Sequence, residues 1–198
     1  MATEILNDAL FYDRYEIIEG EKFMSPSANI KHNRIVTNLA MTIGVYAHTL
    51  RLGQAFTDSL DVHLPDGNLF RPDFIFFNAA NSKFIIDNEY GTIHGVPDMA
   101  VEIFSRSTMR NDFGIKKDVY ERNGVKEYWM IDPWRESIEV YLLRDGKYFL
   151  DDVYQNYNEA ELKELTDEER AKIEFEVPVA VLDGFKVKIK NIFGWFIE

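Results

Sequence analysis

Glu102 interrupts the apolar run Met99-Ala100-Val101-Glu102-Ile103-Phe104, and Asp73 directly precedes a second run, Phe74-Ile75-Phe76-Phe77. A carboxylate inside a buried strand is costly unless a cation or strong hydrogen-bond donors meet it. Two of them, at the start of one strand and the middle of another, suggest a shared cation, a pattern suited to metal-assisted phosphodiester cleavage. Paired on neighbouring strands, such residues would lie about 5 Å apart. Mg²⁺ takes one or two carboxylates and completes an octahedron with waters and phosphate oxygens. Asp112, Lys116 and Tyr120 follow at four-residue spacing, which places them on one helix face. A lysine there would orient the nucleophile or stabilise charge building on phosphorus. Each residue alone has a plainer role. Asp73 caps a turn, Glu102 joins a structural ion pair, Asp112–Lys116 is a surface salt bridge, and Tyr120 sits in the core. Their combination and order point to chemistry.

The elements that must position them are legible as pattern. Tyr15–Ile18 and Lys22–Met24 read as a hairpin around Gly20. A helix is expected over Asn29–Leu52, stopped by Gly53, with the apolar face His32, Ile35, Val36, Leu39, Ile43, Tyr46 and Leu50. Strands are expected at Gln54–Thr57, Ser59–Leu64 and Pro72–Phe77, with a short one possible at Phe84-Ile85-Ile86 within an irregular stretch, Asn78–Val96. After the Glu102 strand, Ser105–Thr108 offers caps for a helix over Arg110–Asn123, ended by Gly124. Strands Glu127–Ile131 and Ser137–Leu143 follow, and Lys147–Leu150 closes a hairpin through Asp145-Gly146. A helix over Asn158–Lys172 and strands at Val179–Leu182 and Phe185–Ile189 complete an α/β (α+β) chain.

At 198 residues the chain is expected to be a single domain over 1–198, with the acidic helical segment, about 158–172, as a peripheral insertion. The start shows neither a basic nor an apolar leader region, and no apolar run is long enough to cross a bilayer. With no cysteine, disulfides and thiolate metal sites are excluded. The expectation is a cytoplasmic protein without a membrane partner. The net charge of −12 argues against broad phosphate binding. That charge is concentrated, however, with ten acids against three bases between Leu150 and Glu176. His48, His63 and His94 show no metal-ligand spacing.

Arg71-Pro72-Asp73, the block Gly95-Val96-Pro97-Asp98-Met99-Ala100-Val101-Glu102-Ile103-Phe104-Ser105, the spacing Asp112-x₃-Lys116-x₃-Tyr120, and Gly124-Val125-Lys126-Glu127-Tyr128-Trp129-Met130-Ile131-Asp132-Pro133 together resemble the Uma family of putative restriction endonucleases. The opening Tyr15–Glu21, Ser25-Pro26-Ser27 and His32 resemble it as well, so the likeness covers roughly residues 12–143. That family belongs to the PD-(D/E)XK nuclease superfamily. The resemblance implies a restriction-endonuclease-like fold, a central mixed β-sheet flanked by helices. Asp73 matches the acid of the Pro-Asp motif and Glu102 that of (Asp/Glu)-x-Lys. Both are thereby implied to bind Mg²⁺ (or Mn²⁺), with the Ile103 backbone carbonyl as a further ligand. Phe104 stands where the motif has its lysine. Lys116 is the matching residue on the following helix, and Lys117 is its close alternative. Arg106 also departs from the family's usual Ser-Pro-Ser. Glu19 has two readings: the counterpart of the acid supplied by the superfamily's N-terminal region, as the resemblance implies, or an exposed turn residue. His32, Asp112 and Tyr120 are supporting candidates.

The implied function is metal-dependent hydrolysis of DNA phosphodiester bonds by an activated water, in a homodimer if both strands are cut. The alternatives are a catalytically inactive module of the same fold that binds protein or nucleic acid, or a hydrolase of small phosphodiesters.

Overall fold

A computed structural model describes residues 15–24, 29–57, 60–84, 92–104 and 112–195. The hairpin β1 (Tyr15–Ile18) and β2 (Glu21–Met24) comes first, then α1 (Ile30–Leu39), a π-helical segment (Ala40–Gly44) and α2 (Val45–Thr49). Asn29 caps this long helix by accepting the His32 N–H. Next come β3 (Gly53–Thr57), β4 (Val62–His63), β5 (Leu69–Phe70), β6 (Phe74–Asn78), a 3₁₀ turn, β7 (Ile93–His94) and β8 (Met99–Ile103). A π-helical turn (Asp112–Lys116) runs straight into α3 (Lys117–Asn123), followed by β9 (Glu127–Asp132), β10 (Ser137–Arg144) and β11 (Lys147–Gln155). The chain closes with α4 (Glu159–Glu164), α5 (Asp167–Arg170), β12 (Glu176–Pro178), β13 (Lys186–Lys188) and α6 (Ile189–Phe193).

The main sheet has six strands in the order β11-β10-β9-β8-β6-β3. It is mixed, because β8 and β9 pair in parallel while the other neighbours are antiparallel. A parallel pair needs a crossover, and the π turn with α3 supplies it, carrying Lys116 and Tyr120 across one face of β8. A second sheet of short strands, β2-β1-β5-β4-β7, packs against that same face.

Every residue of β8, and Phe74–Phe77 of β6, is buried. Strands covered on both faces read as continuous apolar runs, and these two do. Phe74, Phe76, Met99, Val101 and Ile103 face the long helix and the C-terminal elements. Ile75, Phe77, Ala100 and Phe104 face Tyr120, Tyr128 and the second sheet. By alternation Glu102 shares the second face with Ala100 and Phe104.

Several boundaries differ from the sequence reading for local reasons. Gly53 begins β3 rather than ending the helix, since a Cβ there would lie 2.1 Å from the Phe77 carbonyl oxygen. The helix ends at Thr49, and Leu50 is exposed. The acidic stretch forms two short helices, each with its own capping box, from Asn158 and Thr166. Val179–Leu182 is a turn packed on the core rather than a strand. The Ser105–Thr108 caps and Ile85-Ile86 lie outside the described residues. No helix among the described residues is long and apolar enough to cross a membrane.

Two buried carboxylates lock the end of β8 away from Glu102. The Asp98 side chain accepts from the Asn78 N–H (2.8 Å), the Asn81 amide (2.8 Å) and the Lys126 ammonium (2.6 Å). Glu127 accepts from the Trp129 indole at 2.7 Å and the Val181 N–H at 2.9 Å, holding the C-terminal segment to β9. Burial nevertheless pushes the Glu127 carboxyl up to about 7, against the pull of these donors. A folded-state pKa above the ordinary value of 4.5 means that the folded chain keeps a proton the unfolded chain has released. The stabilising contribution is therefore complete below about pH 4.5 and lost as pH rises through about 7. Glu127→Gln, which mimics the protonated form, should remove this loss, worth about 3 kcal/mol at most. Thermal melts of both proteins across this window check it: wild type should fall relative to the variant, and parallel curves would contradict it.

Candidate active site

The last ladder pair between β6 and β8 is Phe74 opposite Val101. Continued by one step, that register would bring Asp73 opposite Glu102. Asp73 lies just before β6, and its carboxylate takes the place of a ladder partner. Its Oδ2 accepts the Ile103 N–H at 2.6 Å. Its Oδ1 lies 2.8 Å from the His32 Nε2. A strand residue presents its N–H and carbonyl to the same edge, so the Ile103 carbonyl also faces the Asp73 side.

Glu102 is 4% exposed and needs donors. The Lys116 ammonium reaches its Oε2 at 3.0 Å and the Tyr120 hydroxyl its Oε1 at 2.8 Å. Burial first, and the Glu102 charge second, push the Tyr120 phenol well above its ordinary value. The phenol keeps its proton and donates it. The same ammonium lies 2.9 Å from the Glu16 Oε1, which also accepts the Arg71 N–H at 2.8 Å. Lys116 is itself only 4% exposed. One ammonium thus serves two buried carboxylates, while Asp73 is held at the backbone of the neighbouring Ile103.

Glu16 is the residue the sequence reading missed. Its signal was present in the alternation of Tyr15-Glu16-Ile17-Ile18, where Glu16 shares the buried face with Ile18. Glu19 stands elsewhere. It lies in the β1–β2 turn at φ 52° and pairs with Arg122, which also bonds Asp66 at 2.7 Å. That network ties the end of α3 to the second sheet, and the described contacts of Glu19 do not include Asp73, Glu102 or Lys116. Lys117 points away and lies over the Tyr141 ring, 4.0 Å from its centroid. The side chain of Asp112 lies outside the described residues. His63 and His94, scattered in sequence, stack with centroids 4.4 Å apart because parallel pairing of β4 and β7 sets them side by side.

The donor set suits a hard cation: two carboxylates and a backbone carbonyl, all oxygen, with room in the coordination shell for waters and phosphate oxygens. Among the described residues no group of three or more His, Asp or Glu side chains converges as a ready metal cage.

Residues 12–177 match the family model Uma2, described as "Putative restriction endonuclease". Among solved structures, a putative nuclease belonging to DUF820 from Anabaena variabilis ATCC 29413 is similar, with a TM-score of 0.69 and 21% identity over 96% of each chain. At that identity the likeness speaks for the fold, and the mixed α+β architecture expected from the sequence is the one found. No curated protein matches the chain.

Replacing Lys116 by Met would leave Glu16 and Glu102 buried without their common cation. The expected cost is about 3–5 kcal/mol. Tyr120→Phe removes one hydrogen bond to a charged group and should cost about 1.5–3 kcal/mol. Urea melts measure both, and a Lys116→Met variant as stable as wild type would show that the ammonium does not hold these carboxylates.

Proposed function

As the chain belongs to the Uma2 family of putative restriction endonucleases, we propose that it hydrolyses DNA phosphodiester bonds with Mg²⁺ or Mn²⁺ held by Asp73, Glu102 and the Ile103 carbonyl. The observation that carries this reading is that Asp73 accepts the N–H of Ile103, the residue next to Glu102, while Lys116 and Tyr120 are bonded to Glu102 itself. Bound there, a divalent cation supplies Lewis-acid polarisation of the scissile phosphate and of an attacking water.

The remaining roles belong to the chain. His32 and the Ile103 N–H fix the Asp73 carboxylate, the kind of outer support that sets ligand orientation. Tyr120 keeps its proton and holds one oxygen of Glu102, fixing the orientation of that carboxylate. Lys116 places a positive charge beside Glu102, where it stabilises charge developing on the phosphoryl oxygens. Glu16 shares that ammonium, so Lys116 is not drawn onto Glu102 alone. Cutting both strands requires two sites, and a homodimer is the natural arrangement.

One observation favours the alternative of a non-catalytic module. Lys116 is buried and bonded to two carboxylates, while Phe104 occupies the usual lysine position. Activity separates the readings. Calorimetry with Mn²⁺ and nicking of supercoiled plasmid should both succeed with wild type and both fail with Asp73→Asn or Glu102→Gln. His32→Ala should weaken metal affinity by about 10–100-fold. Metal binding without nicking would favour the module, and neither signal would make the carboxylates structural.

A further inference from the structure

Around the site, cations are engaged by carboxylates. Lys116 is held by Glu16 and Glu102, Arg71 by Asp61, and Arg122 by Glu19 and Asp66. Arg34 is different. Among the described residues its guanidinium meets no carboxylate and its Nε has no hydrogen-bond partner. It lies over the Trp195 ring, 4.6 Å from the centroid, and Trp195 is 59% exposed. In a chain of net charge −12, a half-buried guanidinium that faces an indole instead of a carboxylate keeps its charge uncompensated.

Its position follows from packing. Lys31, Arg34 and Asn38 form one stripe of α1, at i, i+3 and i+7. The buried Asn38 amide donates to the Ile192 and Gly194 carbonyls, both at 2.9 Å. That turns the chain after α6 back along the stripe, where Trp195 meets Arg34. Lys31 is exposed at the start of the helix. Round that first turn it stands between Arg34 and His32, whose Nε2 lies 2.8 Å from Asp73. A path leaving the Asp73 carboxylate therefore passes Lys31 and then Arg34. Charge is favourable along it. No Asp or Glu occurs from Lys22 through Thr57, which carries Lys22, Lys31, Arg34 and Arg51. None occurs from Gly184 through Trp195, which carries Lys186, Lys188 and Lys190. Glu176 stands opposite Lys188 in the β12–β13 ladder, so the weight falls on Lys31 and Arg34.

We infer that Lys31 and Arg34, with Trp195 holding the guanidinium in place, grip the phosphate backbone of a DNA duplex lying across the site. Ammonium and guanidinium groups meet phosphate through charge-assisted hydrogen bonds that carry no base information. The grip rests on the reading of this chain as one that acts on DNA. It lets an acidic protein hold a polyanion on one carboxylate-free strip beside its buried acids.

Fluorescence anisotropy of a short labelled duplex with the full chain in EDTA tests this without cleavage. Wild type should bind, with log K falling linearly against log salt. Arg34→Gln and Lys31→Gln should each flatten that slope by about 0.9 and weaken binding about tenfold at low salt. Trp195→Ala should weaken binding about two- to fivefold, with Arg34 still present to give nearly the same slope. Lys163→Gln, which removes one positive charge from the acidic segment, should change neither. Lys31 is exposed, so its variant keeps the test open should Arg34→Gln misfold. Slopes equal to wild type in both variants overturn the grip, as does an equal loss in Lys163→Gln or a wild type without salt-dependent binding. Plasmid nicking by wild type in Mn²⁺ reports separately on cleavage. Nicking with unaltered slopes sinks the grip and leaves the nuclease, whereas flattened slopes without nicking leave the grip and sink cleavage.

Discussion

The ammonium of Lys116, shut between Glu16 and Glu102, is the contact on which this arrangement depends. A lysine is almost never fully buried without partners, and a buried glutamate demands a donor. Each of the three is tolerable only because the others are present. The ion triad binds three separate parts of the chain: the N-terminal hairpin through Glu16, the central strand through Glu102, and the β8–β9 crossover through Lys116. It fixes where the second sheet sits on the first, and with it the distance from Arg71 and Asp73 to Glu102.

Around that contact the sheet supplies precision. The β6–β8 ladder ends at Phe74 opposite Val101, next to both acids, so a one-residue slip would send either acid to the wrong face. The Asp98 cluster and Glu127 hold the far ends of β8 and β9, where such a slip would begin. The parallel pairing of β8 with β9 matters for a related reason. It forces a helical crossover, and that crossover delivers Lys116 and Tyr120 to the face Glu102 occupies.

Much of this was legible in the sequence where one physical rule dominated. The runs Phe74–Phe77 and Met99–Ile103 announced strands buried on both faces, and the acid within the second announced its need for a partner. Lys116 and Tyr120 were found because four-residue spacing survives the switch from π turn to α-helix. Glu16 was passed over for Glu19, since a turn acid is conspicuous while an acid on the apolar face of a four-residue strand is shown only by period-2 alternation. Gly53 reads as a helix stop in the sequence because nothing local reveals the Phe77 carbonyl against it. The acidic stretch looked like one helix, as its charge pattern does not show that Asn158 and Thr166 each start a new one. Stacking of His63 on His94 depends on a parallel pairing between distant segments, which spacing cannot disclose.

The triad also has a consequence for the order of folding. Lys116 meets Glu16 from the opposite half of the chain, and contacts of such separation form only after the intervening loop entropy has been spent. Helix turns and the β9–β11 meander rest on near neighbours and can form early. The ammonium can shed its water only once hairpin, central strand and crossover have all arrived. Until then two carboxylates in a half-formed interior favour letting water back in, and collapsed states with the hairpin misplaced are held open to rearrangement. By sequence separation, the contact between Lys116 and Glu16 is expected among the later ones to form.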